Sequence, residues 1–174
     1  MADTFPRQYA RTRRFTLGQP RAFTIFPDRV LFLRSLSGSD PRMNLWVLDL
    51  ATGDERRLID PAGLADDGDL PIAERARRER VRETSTGVVS YAADACGRVV
   101  AFPLGGHLWV TDVQEGWVRR LDTAPGVYDP RPDPTGTTSV GIATLFLTSR
   151  GSAGRQTTHR FCKCRVAINA ACRC

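Results

Sequence analysis

Leu45-Trp46-Val47-Leu48-Asp49-Leu50-Ala51-Thr52-Gly53-Asp54-Glu55-Arg56-Arg57-Leu58 returns as Leu108-Trp109-Val110-Thr111-Asp112-Val113-Gln114-Glu115-Gly116-Trp117-Val118-Arg119-Arg120-Leu121. Eight of the fourteen positions are identical, at a constant offset of 63 and without a gap. A stretch repeated in this way is one structural unit used twice, and such a unit cannot bury its apolar face alone. Each copy reads as two strands around a turn. Ala51-Thr52-Gly53-Asp54 is the turn of the first, with Gly53 free to take positive φ. Trp46 and Trp109 are large β-formers at matching places. Asp49 and Asp112 stand just before the turn, where a carboxylate accepts backbone N–H groups.

A second strand pair precedes each copy. Before the first come Phe23-Thr24-Ile25-Phe26, the turn Pro27-Asp28, and Arg29-Val30-Leu31-Phe32-Leu33-Arg34. Before the second come Gly87-Val88-Val89-Ser90-Tyr91, the turn Asp94-Ala95-Cys96-Gly97, and Arg98-Val99-Val100-Ala101-Phe102. Each unit is therefore four short strands, and a four-stranded repeat of about 40 residues is the sequence signature of a β-propeller blade. The expected fold is all-β, an incomplete β-propeller within residues 1–138. Blade 1 spans about 21–60 and blade 2 about 87–122. A third starts at Val127-Tyr128-Asp129-Pro130-Arg131-Pro132, runs to about 138, and then loses the pattern.

The repeat offset is longer than a blade because residues 61–86 form an insert. Its first part is a Pro/Gly/Asp loop. Leu70 to Glu83 then predicts a charged surface helix laid against the blades, with Asp69 as a cap and Pro71 near the start. Glu74 pairs with Arg78 at i,i+4 and Glu79 with Arg82 at i,i+3, while Ile72, Ala76 and Val81 make a thin apolar stripe. Five Arg against three Glu, with no interleaved aromatics, describe a salt-paired face rather than a nucleic-acid surface.

Residues 139–174 differ from everything before them. They hold six basic residues (Arg150, Arg155, Arg160, Lys163, Arg165, Arg173), no acidic residue, and four of the five cysteines, Cys162, Cys164, Cys172 and Cys174. The whole formal charge of +6 resides there, because residues 1–138 carry 19 residues of each sign. Three readings compete. Two Cys-x-Cys pairs supply four thiolates for zinc, although one-residue gaps are narrower than structural zinc sites use. A disulfide-bearing or basic interaction tail is the second. Sequence read out of frame is the third, and the abrupt change inside a half-finished blade favours it. On that reading the tail stands outside the fold.

Catalytic signatures are missing. There is no Gly-x-Ser-x-Gly elbow, phosphate-binding loop, dinucleotide fingerprint or His-Glu-x-x-His. His107 opens a strand and His159 lies in the tail; neither stands beside a recognisable nucleophile. Asp66, Asp67 and Asp69 are loop-borne and lack an EF-hand frame. Cys96, alone in residues 1–138, makes no disulfide framework. The N-terminus lacks the apolar core of a signal peptide and no apolar run reaches a membrane span, so the cytoplasm is the expected compartment.

The order of features resembles the N-terminal part of bacterial dipeptidyl peptidase IV-type members of the prolyl oligopeptidase family. The residues that carry the likeness are Phe5-Pro6-Arg7-Gln8-Tyr9-Ala10-Arg11-Thr12-Arg13-Arg14-Phe15, Val30-Leu31-Phe32-Leu33-Arg34-Ser35 and Asn44-Leu45-Trp46-Val47. To these add Glu74-Arg75-Ala76-Arg77-Arg78-Glu79-Arg80 leading into Gly87-Val88-Val89-Ser90-Tyr91, and the turn-bearing Asp129-Pro130-Arg131-Pro132-Asp133-Pro134-Thr135-Gly136. The resemblance covers about residues 5–138. It implies an N-terminal propeller that gates access and binds the substrate amine through a Glu pair. It also implies a C-terminal α/β-hydrolase domain whose Ser-Asp-His triad releases dipeptides, preferring proline or alanine second. Neither the pair nor the triad has a matching position here, so no catalytic, substrate-binding or metal residue is assigned. No cofactor is expected, and the chain is expected to be no enzyme as it stands.

The resemblance thus makes the chain a propeller fragment of a serine peptidase, with a peptide substrate only in a full-length parent. The alternative is a non-catalytic propeller-type scaffold that binds proteins. A metal- or nucleic-acid-binding protein built on the tail is a third, weaker reading. Nucleic-acid and membrane partners are not expected. Repeat units need neighbours and capped ends, so a marginal, aggregation-prone product that associates through open blade edges is expected.

Overall fold

The repeated stretches fold as two matching hairpins. In the first, strand β3 (Arg42–Asp49) returns as β4 (Glu55–Ile59); in the second, β8 (His107–Asp112) returns as β9 (Val118–Arg120). Preceding them are β1 (Arg21–Ile25) and β2 (Arg29–Ser35) in one copy, and β6 (Ala92–Ala93) and β7 (Val99–Leu104) in the other. Each set is an antiparallel meander, ordered β1-β2-β3-β4 and β6-β7-β8-β9. In this computed structural model the description covers residues 3–64, 70, 72–123, 126–134, 138–151 and 154–167.

Equivalence extends to individual side chains. Phe32 pairs with Trp46 across β2 and β3, and Phe102 with Trp109 across β7 and β8. The Trp46 indole N–H donates to the Arg34 carbonyl at 3.0 Å, and Trp109 donates to Leu104 at 3.2 Å. The β2–β3 loop is longer than the two-residue turn Gly105-Gly106. This is why residues of β2 and β7 match at a larger separation than residues of β3 and β8.

The four-strand units stack face to face. Leu31, Leu33, Leu45, Val47 and Ile59 of the first sheet pack on Val100, Phe102, Leu104 and Val113 of the second, all of them buried. The other face of the second sheet, with Val99, Ala101, Leu108 and Val110, packs on Val127 of strand β10 (Val127–Pro132). Strict alternation explains both contacts: Val99 and Ala101 point one way along β7, Val100 and Phe102 the other. The sheets do not close into a ring. This is the architecture of an incomplete propeller, with antiparallel sheets standing for blades.

Several details differ from the sequence reading. The opening strand of the second unit lies at 92–93 and not at 87–91. Residues 86–87 instead form β5, which adds to the first sheet parallel to β3, with Arg42 opposite Thr86 and Met43 opposite Gly87. Val88 follows by donating its N–H to the Met43 carbonyl at 3.0 Å. The charged segment is helical only over α2 (Ile72–Arg80). Among its described side chains the buried ones are Glu74 and Arg78, an ion pair, whereas Val81 is 60% exposed. Arg82 lies beyond the helix end with φ +54°, out of helical register with Glu79. Asp69 and Pro71, the expected start signals, lie outside the described residues. A short helix α1 (Phe5–Arg11) and a single 3-10 turn (Pro61–Gly63) complete the described helical structure.

The tail also differs. Residues 138–151 form β11 and 154–167 form β12, paired antiparallel along their full length, and β11 pairs with β10. The third sheet therefore continues past residue 138, where the sequence reading set the tail outside the fold. Alternation of small and apolar residues in Ser139-Val140-Gly141-Ile142-Ala143 suits a strand, and composition alone hid that pattern. No described helix is long and apolar enough to cross a membrane.

Tyr91 locks the first two units together. Its hydroxyl lies 2.6 Å from the Ala22 carbonyl, 2.8 Å from the Leu31 carbonyl and 3.0 Å from Thr24 Oγ1. The site is a bulge: the β1–β2 register shifts between Arg21 and Thr24, and Ala22 has φ +54°. A bulge leaves backbone groups outside the ladder, and the phenol reaches them. Burial raises the Tyr91 pKa, against the opposing hydrogen bonds from Thr24, so the group stays a neutral donor. Tyr91→Phe is expected to lower stability by about 1–2 kcal/mol, the cost of leaving partly buried acceptors unmet. Urea unfolding at pH 7 measures it, and an unchanged midpoint would remove this contact from the account.

Candidate functional site

A concavity lies between the first two sheets, at the end where the repeated turns sit. It has a volume of about 480 Å³ and is lined by Arg29, Val47, Asp49, Asp54, Arg56 and Gln114, among others. The repeat explains its position. Asp49 Oδ1 accepts the N–H groups of Ala51 and Thr52 at 2.8 and 3.0 Å, and Asp112 Oδ1 accepts those of Gln114 and Glu115 at 2.8 and 2.9 Å. Gly53 and Gly116 close the two turns with φ +77° and +72°. The sheets stack, so the two turns lie side by side with a cleft between them.

One guanidinium bridges that cleft. Arg56 Nη2 donates to the Val113 carbonyl of the neighbouring turn at 2.6 Å. Its repeat equivalent, Arg119, lies instead over the Trp117 ring, 5.4 Å from the centroid. From the same sheet as Arg56, Arg29 at the start of β2 also lines the cleft, and its Nε donates to Asp28 Oδ1 at 3.0 Å. That hydrogen bond holds the Asp28 carboxyl below the usual carboxylate range and raises Arg29. Two guanidinium groups face two carboxylates, so the cleft is polar without a dominant sign of charge.

The second turn is set deeper than the first. The Asp112 side chain is wholly buried and accepts Arg98 Nε at 2.8 Å, while Arg98 Nη2 also reaches Glu115 at 3.0 Å. Burial pushes the Asp112 pKa up, but the Glu115 amide, the Arg98 guanidinium and the Gln114 amide together bring it below the usual range. Asp49 is exposed. Helix α2 carries another buried carboxylate. Glu74 accepts Arg77 Nε at 2.7 Å and Arg78 Nε at 2.9 Å, and Arg78 Nη1 donates to the Ser85 carbonyl at 3.2 Å. Desolvation opposes its ionisation, and the two guanidinium groups overcome that and lower its pKa.

Nucleophilic catalysis needs a hydroxyl or thiol beside a base, with the base oriented by a third group. The lining of the cleft has no histidine and no cysteine. His107 is half-buried at the start of β8, opposite Leu104. The backbone of His159 lies on β12 opposite Phe146, far along the sequence from His107. Cys96 is a half-buried thiol that donates to Asp94 Oδ2 at 3.3 Å. Cys162 and Cys164 lie two apart on β12, opposite Ala143 and Gly141. Cys172, Cys174, Asp66, Asp67 and Asp69 lie outside the described residues. Among the described residues no group of three or more His, Cys, Asp or Glu is placed to hold a metal ion.

The sequence marked Asp49 and Asp112 as turn acceptors, which is the role they have. It gave no role to Arg29, Arg56, Arg98 or Tyr91. The doubled Arg56-Arg57 and Arg119-Arg120 was the available signal for Arg56, but which of two adjacent arginines faces the neighbouring sheet depends on register.

No family model matches the chain. Among solved structures it is similar to the tricorn protease, with a TM-score of 0.51 and 10% identity over 88% of this chain and 13% of that one. It is also similar to an acylaminoacyl peptidase of Pyrococcus horikoshii, with a TM-score of 0.48 and 9% identity over 76% of this chain and 18% of that one. For a putative TolB of Agrobacterium tumefaciens the TM-score is 0.47 and the identity 16%, over 74% and 40% of the two chains. The chain spans less than half the length of each. The likeness to the tricorn protease is one of fold, and it agrees with the reading of the stacked sheets as propeller blades.

Proposed function

We propose that this chain is the N-terminal propeller portion of a dipeptidyl peptidase IV-type serine peptidase of the prolyl oligopeptidase family. It is non-catalytic as it stands and works in the cytoplasm. In the whole enzyme the propeller gates entry of the peptide substrate, and the hydrolase domain performs the acyl transfer. On this reading residues 21–60 are blade 1, 61–91 the insert that carries α2 and adds β5 to the first sheet, 92–122 blade 2, and residues from 127 the start of blade 3. The observation that carries the proposal is the repeated four-strand sheet, matched side chain by side chain at Phe32/Phe102, Trp46/Trp109 and Asp49/Asp112. The helical insert and the N-terminal stretch are the features that favour a peptidase over a protein-binding scaffold. Propeller blades by themselves serve many functions, so the site and not the fold must decide.

Sequencing the encoding DNA across codons 130–150 and onward, read in all three frames, tests the proposal. The expected result is a frame that continues the blades and later reaches a Glu pair and a Gly-x-Ser-x-Gly elbow. Stops in every frame within one blade length would sink it and put the scaffold first. The purified chain is expected to release no p-nitroaniline from an alanyl-prolyl anilide. Hydrolysis abolished by a serine-directed phosphonate would overturn the non-catalytic assignment.

A further inference from the structure

Helix α1 buries none of its seven residues. A helix this short is not stable in water by propensity alone, so its support comes from what surrounds it. Phe5, Tyr9 and Phe15 form a trio with ring centroids 5.8, 6.1 and 5.9 Å apart. The three residues nevertheless stay 67%, 42% and 43% exposed. The backbone that closes the trio is strained. Arg13, Arg14 and Phe15 have φ of +48°, +64° and +61° in succession, a left-handed turn that is unfavourable for L-residues at every step. Such strain gathers at functional surfaces.

The same turn carries Arg13 to the insert, where its Nη1 donates to the Thr84 carbonyl. Between the two segments lies a cavity of about 360 Å³, lined by Arg13, Thr16, Val81, Arg82 and Thr84, among others. Arg21 and Glu83 close part of its wall as an ion pair at 2.9 Å, so Arg13 and Arg82 leave it positive. Residues 3–20 hold Arg7, Arg11, Arg13 and Arg14 against Asp3 alone, and Asp3 is paired with Arg11 at 2.7 Å. Among the described residues the guanidinium groups of Arg14 and Arg82 are exposed and have neither a hydrogen bond nor an ion pair. Val81, beside Arg82, is 60% exposed. Open aromatic rings and unpaired positive charge thus share one surface. The contact that assembles it joins residues 71 apart in the chain, which is why the sequence alone predicts no membrane partner.

We propose that this surface docks on an anionic phospholipid bilayer. Phe5, Tyr9 and Phe15 enter the headgroup boundary, where aromatic rings are favoured. Arg14 and Arg82 meet the acidic headgroups, each strengthening attachment roughly fivefold. The surface calls for a partner that is apolar and negative at once, and a bilayer interface is both. Nucleic acid fits less well, because bases stack on rings laid open to them and here each ring already faces the other two. The proposal rests on this surface and does not depend on the peptidase reading.

Flotation of the 174-residue chain with lipid vesicles through a density gradient tests it, since aggregated protein stays at the bottom. The vesicles are phosphatidylcholine alone, or phosphatidylcholine with about one-third phosphatidylserine. The expected result is flotation with the mixed vesicles and at least tenfold weaker binding to phosphatidylcholine alone. Arg14→Glu and Arg82→Glu each weaken it by roughly fivefold or more, and Phe5→Ala by a similar factor. Arg120→Glu, the same charge change at an exposed residue of β9, leaves it unchanged. All four side chains are exposed, so the fold is kept, and an unaltered circular dichroism spectrum checks this. No flotation with either vesicle overturns the proposal, as does equal flotation with both. So does an equal loss in Arg120→Glu. Binding that needs Arg14 and Arg82 but is indifferent to Phe5 marks a basic surface for an acidic macromolecule, and it too overturns the proposal.

Discussion

Gly87→Ala is expected to destabilise the protein by roughly 3 kcal/mol, from an αL penalty of about 1–2 kcal/mol and an overpacking cost of similar size. Gly87 has φ +73°, and a Cβ there would lie 2.6 Å from the Met43 carbonyl oxygen and 2.9 Å from Pro61 Cγ. The first of these is backbone in a paired strand, which has no rotamer to yield. Gly53 supplies the internal control. Its φ is +77°, yet a Cβ there meets nothing within 4 Å. Gly53→Ala therefore meets only the backbone penalty, about 1–2 kcal/mol. Urea unfolding followed by tryptophan fluorescence, with both variants compared at equal m-value, separates the two terms. Equal shifts would mean that the close approach of residues 86–88 to β3 is not maintained in solution. The effect is large because a domain's whole stability is about 5–15 kcal/mol.

That residue also marks where the sequence stopped being legible. Gly87-Val88-Val89-Ser90-Tyr91 has the composition of a strand, and the repeat logic placed one there. Gly87 holds the segment against the neighbouring sheet instead, and Tyr91 reaches back into the bulge of β1. Local β-propensity reports fit to a pleated surface, not which sheet supplies that surface. The turn acids were legible because their partners lie two or three residues away in the chain. Arg56 to Val113 and Tyr91 to Ala22 span 57 and 69 residues, and no local pattern encodes them. The helix shows the same limit. Its Glu74–Arg78 spacing was readable, but that this ion pair is buried follows from the guanidinium's reach to Ser85. In the tail, charge and cysteine content dominated the reading, while the backbone of residues 138–167 pairs as a hairpin on β10. The stack of four-strand units was the part legible from sequence, since a repeat at constant offset constrains every copy at once.

Asp112→Ala is expected to cost about 2–3 kcal/mol, because Arg98 loses the buried one of its two carboxylates and keeps only the exposed Glu115. Two turn amides lose their acceptor at the same time. The matched change Asp49→Ala is expected to cost only about 1 kcal/mol, the net worth of ordinary hydrogen bonds beside water. The two acids make the same pair of turn contacts, so the difference between them isolates burial and Arg98. The asymmetry has a sequence origin: Arg98 donates to Asp112 from the end of β7, where the first copy has Asp28. Asp112→Asn keeps an acceptor for the turn and loses the charge, and falls between. The sign with pH follows from the lowered carboxyl. Its folded-state pKa is below the unstrained value of 3.8, so its contribution is complete above that value and is lost as pH falls through the lower, folded one. The gap in unfolding free energy between the parent chain and Asp112→Asn is therefore expected to be flat from pH 7 to about 5 and to shrink only toward pH 3. Glu74 and Glu83 are lowered too, so the parent chain alone loses stability in acid through several groups, whereas the difference between the two proteins reports Asp112. A gap that widens toward acid would mean that Asp112 is protonated in the folded state and that Arg98 does not hold it.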